Sequence, residues 1–253
     1  MKLTIVGCSG SYPGPDSAAS CYLLEEPYQG RTFRIVLDMG NGALGALQRY
    51  GDINDIDAIL ITHLHGDHCL DLCSYYVARR YHPDGPLAPV PVYGPEGAAE
   101  RMACAGDLPI DPGMNAEFDF HAWDPSSPEK IGPFEVWVAS MVHPVTTYGI
   151  RVENEHRSLV YSGDSAPTRA LVELARDADV LLCESSFVEG EDNPPNLHMT
   201  GREAAEHAKS ANVGRLLLTH IPPWHERSQV LADAVAAWDG PIELVSAGEC
   251  YEI

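Results

Sequence analysis

The stretch Ile59-Leu60-Ile61-Thr62-His63-Leu64-His65-Gly66-Asp67-His68 decides the fold. Its first three residues are an apolar run that reads as a buried strand. Its last six hold three imidazoles and one carboxylate. From Leu70 through Tyr75, Tyr76 and Val77 the pattern becomes helical, and the spacing predicts one helix over 70–81, stopped by Pro83. The polar cluster therefore sits on a strand-to-helix turn, where several side chains can converge on one point. Cations such as zinc take imidazole nitrogen and carboxylate oxygen at about 2.0–2.2 Å. Four donors on one turn rarely all reach one tetrahedral ion, so a second ion about 3.5–4 Å away is implied. A His-rich surface loop is the alternative; the buried strand and the alternating-then-adjacent spacing argue against it.

Three other apolar strands end in the same manner. Residues 134–141 lead to His143, 158–161 to Asp164, and 215–218 to His220. Loops at one edge of a sheet sandwich would bring these together with the first cluster. The candidate ligands are then His63, His65, Asp67, His68, His143, Asp164 and His220. Seven donors suit two ions, each with three terminal ligands and a shared carboxylate.

Elsewhere the chain alternates short strands and helices. Residues 3–6, 21–24, 33–37 (ending in Asp38), 56–61, 90–93, 118–123, 147–152, 180–183 and 242–245 read as strands. Helical spacing marks 41–50, 95–106 with Pro at its first turn, 168–176, 200–211 and 228–238. Thr200 with Glu203 three residues on is a capping box. Residues 7–15 form a Gly/Ser/Pro loop, equally a cradle for an oxyanion or a tight connection. Residues 108–115 read as a loop, and 189–197 as a mobile loop or lid. Arg79 and Arg80 complement a helix dipole, with substrate binding as the lesser reading. Early strands followed by mixed strands and helices suggest face-to-face sheets with helices outside, within one domain over 1–253.

Bulk properties narrow the function. The net charge of −21 disfavours sequence-independent binding to long nucleic acid, which needs cations against phosphates. A small anion is still admitted, because bound metal ions make a site locally positive. No apolar run is long enough to span a bilayer, and residues 1–7 read as a strand rather than a signal peptide. The seven cysteines are scattered and odd in number, which argues against a disulfide framework and suits a reducing compartment, so the expected location is cytoplasmic. Cys69 and Cys73 share a helix face but lack partners for a further metal site.

Taken together, Thr62-His63-Leu64-His65-Gly66-Asp67-His68 and the three later strand ends resemble the metallo-β-lactamase superfamily, through its HxHxDH motif. The resemblance spans essentially the whole chain and implies an α/β (α+β) protein, an αβ/βα four-layer sandwich. By the resemblance, one metal would take His63, His65 and His143, the other Asp67, His68 and His220, with Asp164 bridging. Tyr161-Ser162-Gly163-Asp164, Cys183-Glu184-Ser185-Ser186-Phe187, His198-Met199-Thr200-Gly201 and Leu218-Thr219-His220 look like the tRNA 3′-processing endonuclease branch. That branch implies His198 as general acid and Glu184 as the group that orients it. An exposed loop histidine is the alternative for His198.

The tRNA enzymes carry a long arm between the third-ligand and bridging-Asp motifs. Here His143 and Asp164 lie only 21 positions apart, room for one hairpin. The stretches GCSGSYPGPDSAAS, LGALQRY, HLHGDHCLDL, ARRYHP, SGDS and LLLTHIPPW instead look closely similar to small bacterial cyclic nucleotide phosphodiesterases of this superfamily. The implied reaction is hydrolysis of a cyclic nucleotide, 3′,5′-cyclic AMP first, with cyclic GMP and 2′,3′-cyclic nucleotides also open. A hydroxide between two divalent ions would attack, oriented or deprotonated by Asp67. Zinc is the default ion, and manganese or iron also accept these donors. A homodimer follows from the family alone. Tyr75, Tyr76, Phe187 and Trp224 are candidates to stack on a base, each more readily explained as core. The rivals are a tRNA 3′-processing nuclease, a lactonase or thioesterase, which need no His198 with Glu184, and a non-catalytic metal-binding module, which would close a structural zinc with four ligands.

Overall fold

Successive side chains on extended backbone point to opposite faces, and this alternation divides the apolar residues among three cores. A computed structural model describes residues 1–253, the whole sequence. The first sheet contains β1 (Lys2–Ser9), β2 (Ala18–Ala19), β3 (Cys21–Tyr28), β4 (Arg31–Leu37), β5 (Ala58–Leu60), β6 (Val90–Gly94) and β7 (Phe118–Ala122). The second contains β8 (Glu129–Ile131), β9 (Phe134–Ser140), β10 (Tyr148–Glu153), β11 (Ser158–Tyr161), β12 (Val180–Glu184), β13 (Arg215–Thr219) and β14 (Ile242–Leu244). The last strand, β15 (Cys250–Glu252), returns to the first sheet, whose order is β15-β1-β3-β4-β5-β6-β7 with β2 beside β1. The second sheet runs in simple order from β14 to β8.

Between the sheets, Leu3, Ile5, Leu24, Ile35, Leu37 and Leu60 meet Phe134, Leu159, Tyr161, Leu182 and Leu217. Their neighbours face outward. Val36, Ile59, Ile61 and Val92 pack with residues of helices α1 (Ala43–Leu47), α2 (Gly66–Cys69), α3 (Asp71–Arg80) and α4 (Ala98–Ala105). Val160, Leu181, Leu216 and Leu218 pack with residues of α5 (Arg169–Leu174), α6 (Gly201–Ala211) and α7 (Arg227–Ala237). The architecture is the expected four-layer αβ/βα sandwich. Burying each large aliphatic side chain contributes roughly 1.5–3 kcal/mol. A one-residue slip of a central strand would exchange its two apolar faces, so register is held from both sides.

Strand direction places the site. β11, β12, β13 and β14 are mutually parallel. β9 runs the same way, because both β9 and β11 are antiparallel to β10. The C-terminal ends of β9, β11, β12 and β13 therefore share one edge of the sheet.

Local differences from the sequence expectations have physical causes. A short helix, α2, was not expected and precedes the helix expected over 70–81, which is α3; the two meet at Leu70. Asp71 opens the second and accepts a hydrogen bond from the Leu44 amide at 2.8 Å, which ties α3 to α1. The helix expected from Pro95 starts only at Ala98; Gly97, at φ 84°, turns the chain into it and Pro95 lies outside. The strands β2, β8 and β15 were not expected; each has two or three residues. The capping box is present: the Glu203 amide donates to Thr200 Oγ1 at 3.2 Å, and the Thr200 amide to Glu203 Oε2 at 2.8 Å. Arg79 is buried over the Tyr75 ring and donates to the Ala88 carbonyl, and Arg80 pairs with Glu117 at 3.2 Å. Both serve structure. All seven cysteines are free thiols. No helix is long and apolar enough to cross a membrane.

Candidate metal centre

The turn after β5 is pressed against the loop after β4. The Met39 amide donates to the His68 carbonyl at 2.7 Å. A Cβ on Gly40 would lie 1.9 Å from the Asp67 carbonyl oxygen, so only glycine allows this approach. From the second sheet, His143 follows β9, Asp164 follows β11 and His220 follows β13.

The seven candidate ligands converge in two groups that share one residue. The donor atoms of His63, His65, His143 and Asp164 lie within 4.8 Å of one another, as do those of Asp67, His68, Asp164 and His220. In the first, His65 Nδ1 lies 3.1 Å from His63 Nε2 and 3.2 Å from His143 Nε2. In the second, His68 Nε2 and His220 Nε2 are 3.0 Å apart, and Asp67 Oδ2 is 3.2 Å from His220 Nε2. Asp164 turns one oxygen to each group. Its Oδ2 is 3.7 Å from His63 Nε2, and its Oδ1 is 3.2 Å from His68 Nε2 and 3.4 Å from His220 Nε2.

Hydrogen bonds on the far sides of the rings set the tautomers. His68 Nδ1–H donates to Asp38 Oδ2 at 2.7 Å, and His143 Nδ1–H to the Leu197 carbonyl at 2.9 Å. Thr62 Oγ1 donates to Asp38, so it accepts from His63 Nδ1–H at 3.0 Å. Ser186 Oγ donates to the His220 carbonyl and accepts from His220 Nδ1–H at 2.8 Å. Four Nε2 lone pairs thus point inward, at one another and at carboxylates. Asp164 Oδ1 is buried without a hydrogen-bond partner. Lone pairs and anions facing each other in a buried site repel; divalent cations among them turn the repulsion into attraction. The residues fit a divalent-metal site.

In the chain alone, the same crowding perturbs protonation. Burial, then repulsion from His68, drives the His63 pKa well below its usual value. Burial opposes charge on His68, but Asp164 and Asp38 outweigh it and raise that pKa well above 6.5. Burial also opposes ionisation of Asp67, yet the His220 hydrogen bond and the His68 charge hold its carboxyl well below the usual range.

His198 and Glu184 stand beside the second group. His198 Nδ1 is 2.9 Å from Glu184 Oε1, and His198 is 3.9 Å from Asp164. Glu184, at the end of β12, also accepts from the Ser165 amide at 2.8 Å and the Ser186 amide at 3.1 Å, which fixes its plane. Burial lowers the His198 pKa, but the charge and hydrogen bond of Glu184 prevail and raise it to about 9.

Asp38 and Thr62 belong to this centre and had no assigned role from sequence. Asp38 ends β4 as the ligands end theirs, which was an available signal; its partners Thr62, His68 and Tyr161 are distant in sequence. Asp38 and His220 both hold left-handed backbone, φ 57° and 56°, an uncommon conformation outside glycine that clusters at functional sites. Among the aromatic candidates, Tyr75 is buried in the helix layer and Tyr76 packs against it, so neither faces the centre. Phe187 sets its edge against His198, centroids 5.1 Å apart, and Trp224 is solvent-exposed. In the loop at 7–15 the amides of Cys8, Gly10 and Tyr12 are already bonded, to Ser17, Ile221 and Gly10.

Known proteins resemble this chain in sequence and fold. An uncharacterised protein of Mycobacterium leprae is 44% identical over 257 residues, covering 100% of this chain and 89% of that one. The probable metallo-hydrolase YhfI of Bacillus subtilis is 28% identical with both chains fully covered, and its crystal structure matches 99% of each chain with a TM-score of 0.88 at 27% identity. Ribonuclease Z of Mycolicibacterium gilvum is 32% identical over 88% of this chain and 85% of its own. A family model described as beta-lactamase superfamily domain matches residues 33–221, and with the two-group donor cluster at the sandwich edge the chain belongs to the metallo-β-lactamase superfamily.

Proposed function

We propose that this chain is a binuclear-metal phosphodiesterase that hydrolyses cyclic nucleotides to nucleoside monophosphates, 3′,5′-cyclic AMP foremost. The His198–Glu184 pair, 2.9 Å apart beside the donor groups, carries this reading. A ribose alkoxide is a poor leaving group and needs a proton as its P–O bond breaks. Glu184 occupies His198 Nδ1, leaving Nε2 to supply that proton. In a cyclic diester the released oxygen stays attached to the product. Asp67 orients the attacking water while it serves as a ligand.

His63, His65 and His143 would hold one ion and Asp67, His68 and His220 the other, with Asp164 shared. Bound there, divalent ions polarise the phosphoryl oxygens and lower the pKa of water toward ~7. Zinc suits the histidine-rich donors best, with manganese or iron as substitutes. The charge of −21 favours a small anion over long nucleic acid, and the His143–Asp164 interval holds only the β10–β11 hairpin. We extend the proposal to a cytoplasmic homodimer.

A second reading, a nuclease acting on tRNA 3′ ends, draws support from the relative named Ribonuclease Z. A lactonase or thioesterase has no comparable need for the His198–Glu184 pair.

The test is to incubate zinc- or manganese-loaded protein with 3′,5′-cyclic AMP and follow AMP by chromatography. Wild-type turnover that falls at least about 100-fold in His198→Ala and in Asp67→Ala supports the assignment, since one acid–base group is worth 10²–10⁴-fold. No turnover of any cyclic nucleotide with two metals bound would sink it, and RNA ends would be tried next.

A further inference from the structure

Two aromatic rings stand in solvent on the two loops that meet at His220. Tyr12 is 46% exposed and Trp224 is 58% exposed. Their centroids are 5.4 Å apart with planes inclined at 33°. Tyr12 comes from the loop after β1 and Trp224 from the loop between β13 and α7. These loops are stitched together beside a ligand. Ser9 and Ile221 form a parallel bridge, and the Gly10 amide donates to the Ile221 carbonyl at 3.2 Å. Gly10 sits so close to His220 that a Cβ there would lie 2.3 Å from its carbonyl oxygen.

The pair is therefore positioned by the ligand loop itself. Trp224 is four residues past His220, so its backbone lies within about 14 Å of that ligand, at up to ~3.6 Å per residue. Pro13, Pro15, Pro222 and Pro223 fix φ along both loops, and Gly14 packs where a Cβ would touch Pro223 at 3.4 Å. Loops restrained in this way lose little backbone entropy when something stacks on the rings they carry. Every nucleobase offers a flat π-face, and stacking on aromatic side chains needs no particular hydrogen-bond pattern.

We propose that Tyr12 and Trp224 form the platform on which the base of the nucleotide stacks while its phosphate lies at the metal ligands. The proposal rests on the cyclic-nucleotide reading above and adds a preference for purines, whose larger face covers more of the platform. The occupant is a base, because the pair is tied to His220 rather than to an outer helix face.

The experiment compares metal-loaded wild type with Tyr12→Ala, Trp224→Ala and Trp224→Phe. KM and kcat are measured for 3′,5′-cyclic AMP and 3′,5′-cyclic CMP, and tryptophan fluorescence is titrated with 5′-AMP and with ribose 5-phosphate. The alanine variants should raise KM for cyclic AMP roughly 5- to 150-fold, the worth of one stacked base, with kcat unchanged. Cyclic CMP should be affected less, and Trp224→Phe should retain the wild-type KM. AMP should quench wild-type fluorescence and leave Trp224→Phe unquenched, and ribose 5-phosphate should quench neither. Unchanged KM in both alanine variants of an active enzyme would overturn the platform. So would loss of a dimer in Trp224→Ala with KM unmoved, which would make the pair a subunit contact. If wild type hydrolyses no cyclic nucleotide but AMP still quenches Trp224, the platform stands and the cyclic-diester reading falls.

Discussion

A carboxylate cut off from water must take its hydrogen bonds from protein, and Asp38 takes them from four groups. These are the Thr62 amide at 2.8 Å, the Thr62 hydroxyl, His68 Nδ1 at 2.7 Å and the Tyr161 hydroxyl at 2.9 Å. The His68 contact holds the ring in the tautomer that aims Nε2 at the centre. Removing such a partner behind a metal-bound histidine typically costs 10–100-fold in affinity. Asp38→Asn should therefore weaken metal binding by about that factor while leaving the fold intact, as read by competition with a chromogenic chelator alongside circular dichroism. Unchanged affinity would remove Asp38 from the machinery of the site. The convergence of the candidate ligands was legible because each follows an apolar strand whose direction exposes its C-terminal residue at one edge. Asp38 carries the same mark. Its role depends on Tyr161, 123 positions away, and no local pattern reports such a contact.

At the scale of elements, α6 shows how a cap can serve a site. The Thr200 side chain closes the first turn, and the residue two before it is His198. The segment is also held from outside, by the Phe187 amide donating to the Met199 carbonyl at 3.0 Å. Losing an N-cap of this type costs about 1 kcal/mol. Thr200→Ala should lower Tm by roughly 2–4 °C, and Thr200→Ser should restore most of it. Differential scanning calorimetry of the three proteins decides the point. The capping box was legible because its two side chains satisfy each other within four residues. The short α2 was not, because four residues inside the histidine-rich turn are too few to show helical spacing. The edge strands β8 and β15 were missed for a related reason: three residues are too few to show alternation, and pairing with a long neighbour defines them.

Across the whole molecule, the metal centre is a joint between sheets. His63, His65, Asp67 and His68 are carried by the first sheet's β5 turn, and His143, Asp164 and His220 by strand ends of the second. An ion bound only by the folded arrangement stabilises it by about 4 kcal/mol when present at 1,000 times its dissociation constant. For a chain of this size that corresponds to roughly 10 °C in Tm. Chelation should lower Tm by about that amount, and added zinc should restore it, as followed by scanning fluorimetry with metal content checked in parallel. An unchanged Tm after verified metal removal would mean that the seven residues do not hold a resident ion.

β15 joins the first sheet outside β1, with Leu3 opposite Tyr251, and the two ends of the chain meet there. During translation β1 emerges about 240 residues ahead of β15, its outer neighbour. At ~5–20 residues per second, synthesis leaves that edge uncovered for some ~10–50 s. An open edge with unpaired amides and carbonyls is a template for other chains. The nascent protein therefore passes through a long interval in which one flank of its first sheet needs protection that the finished molecule supplies for itself, with three residues.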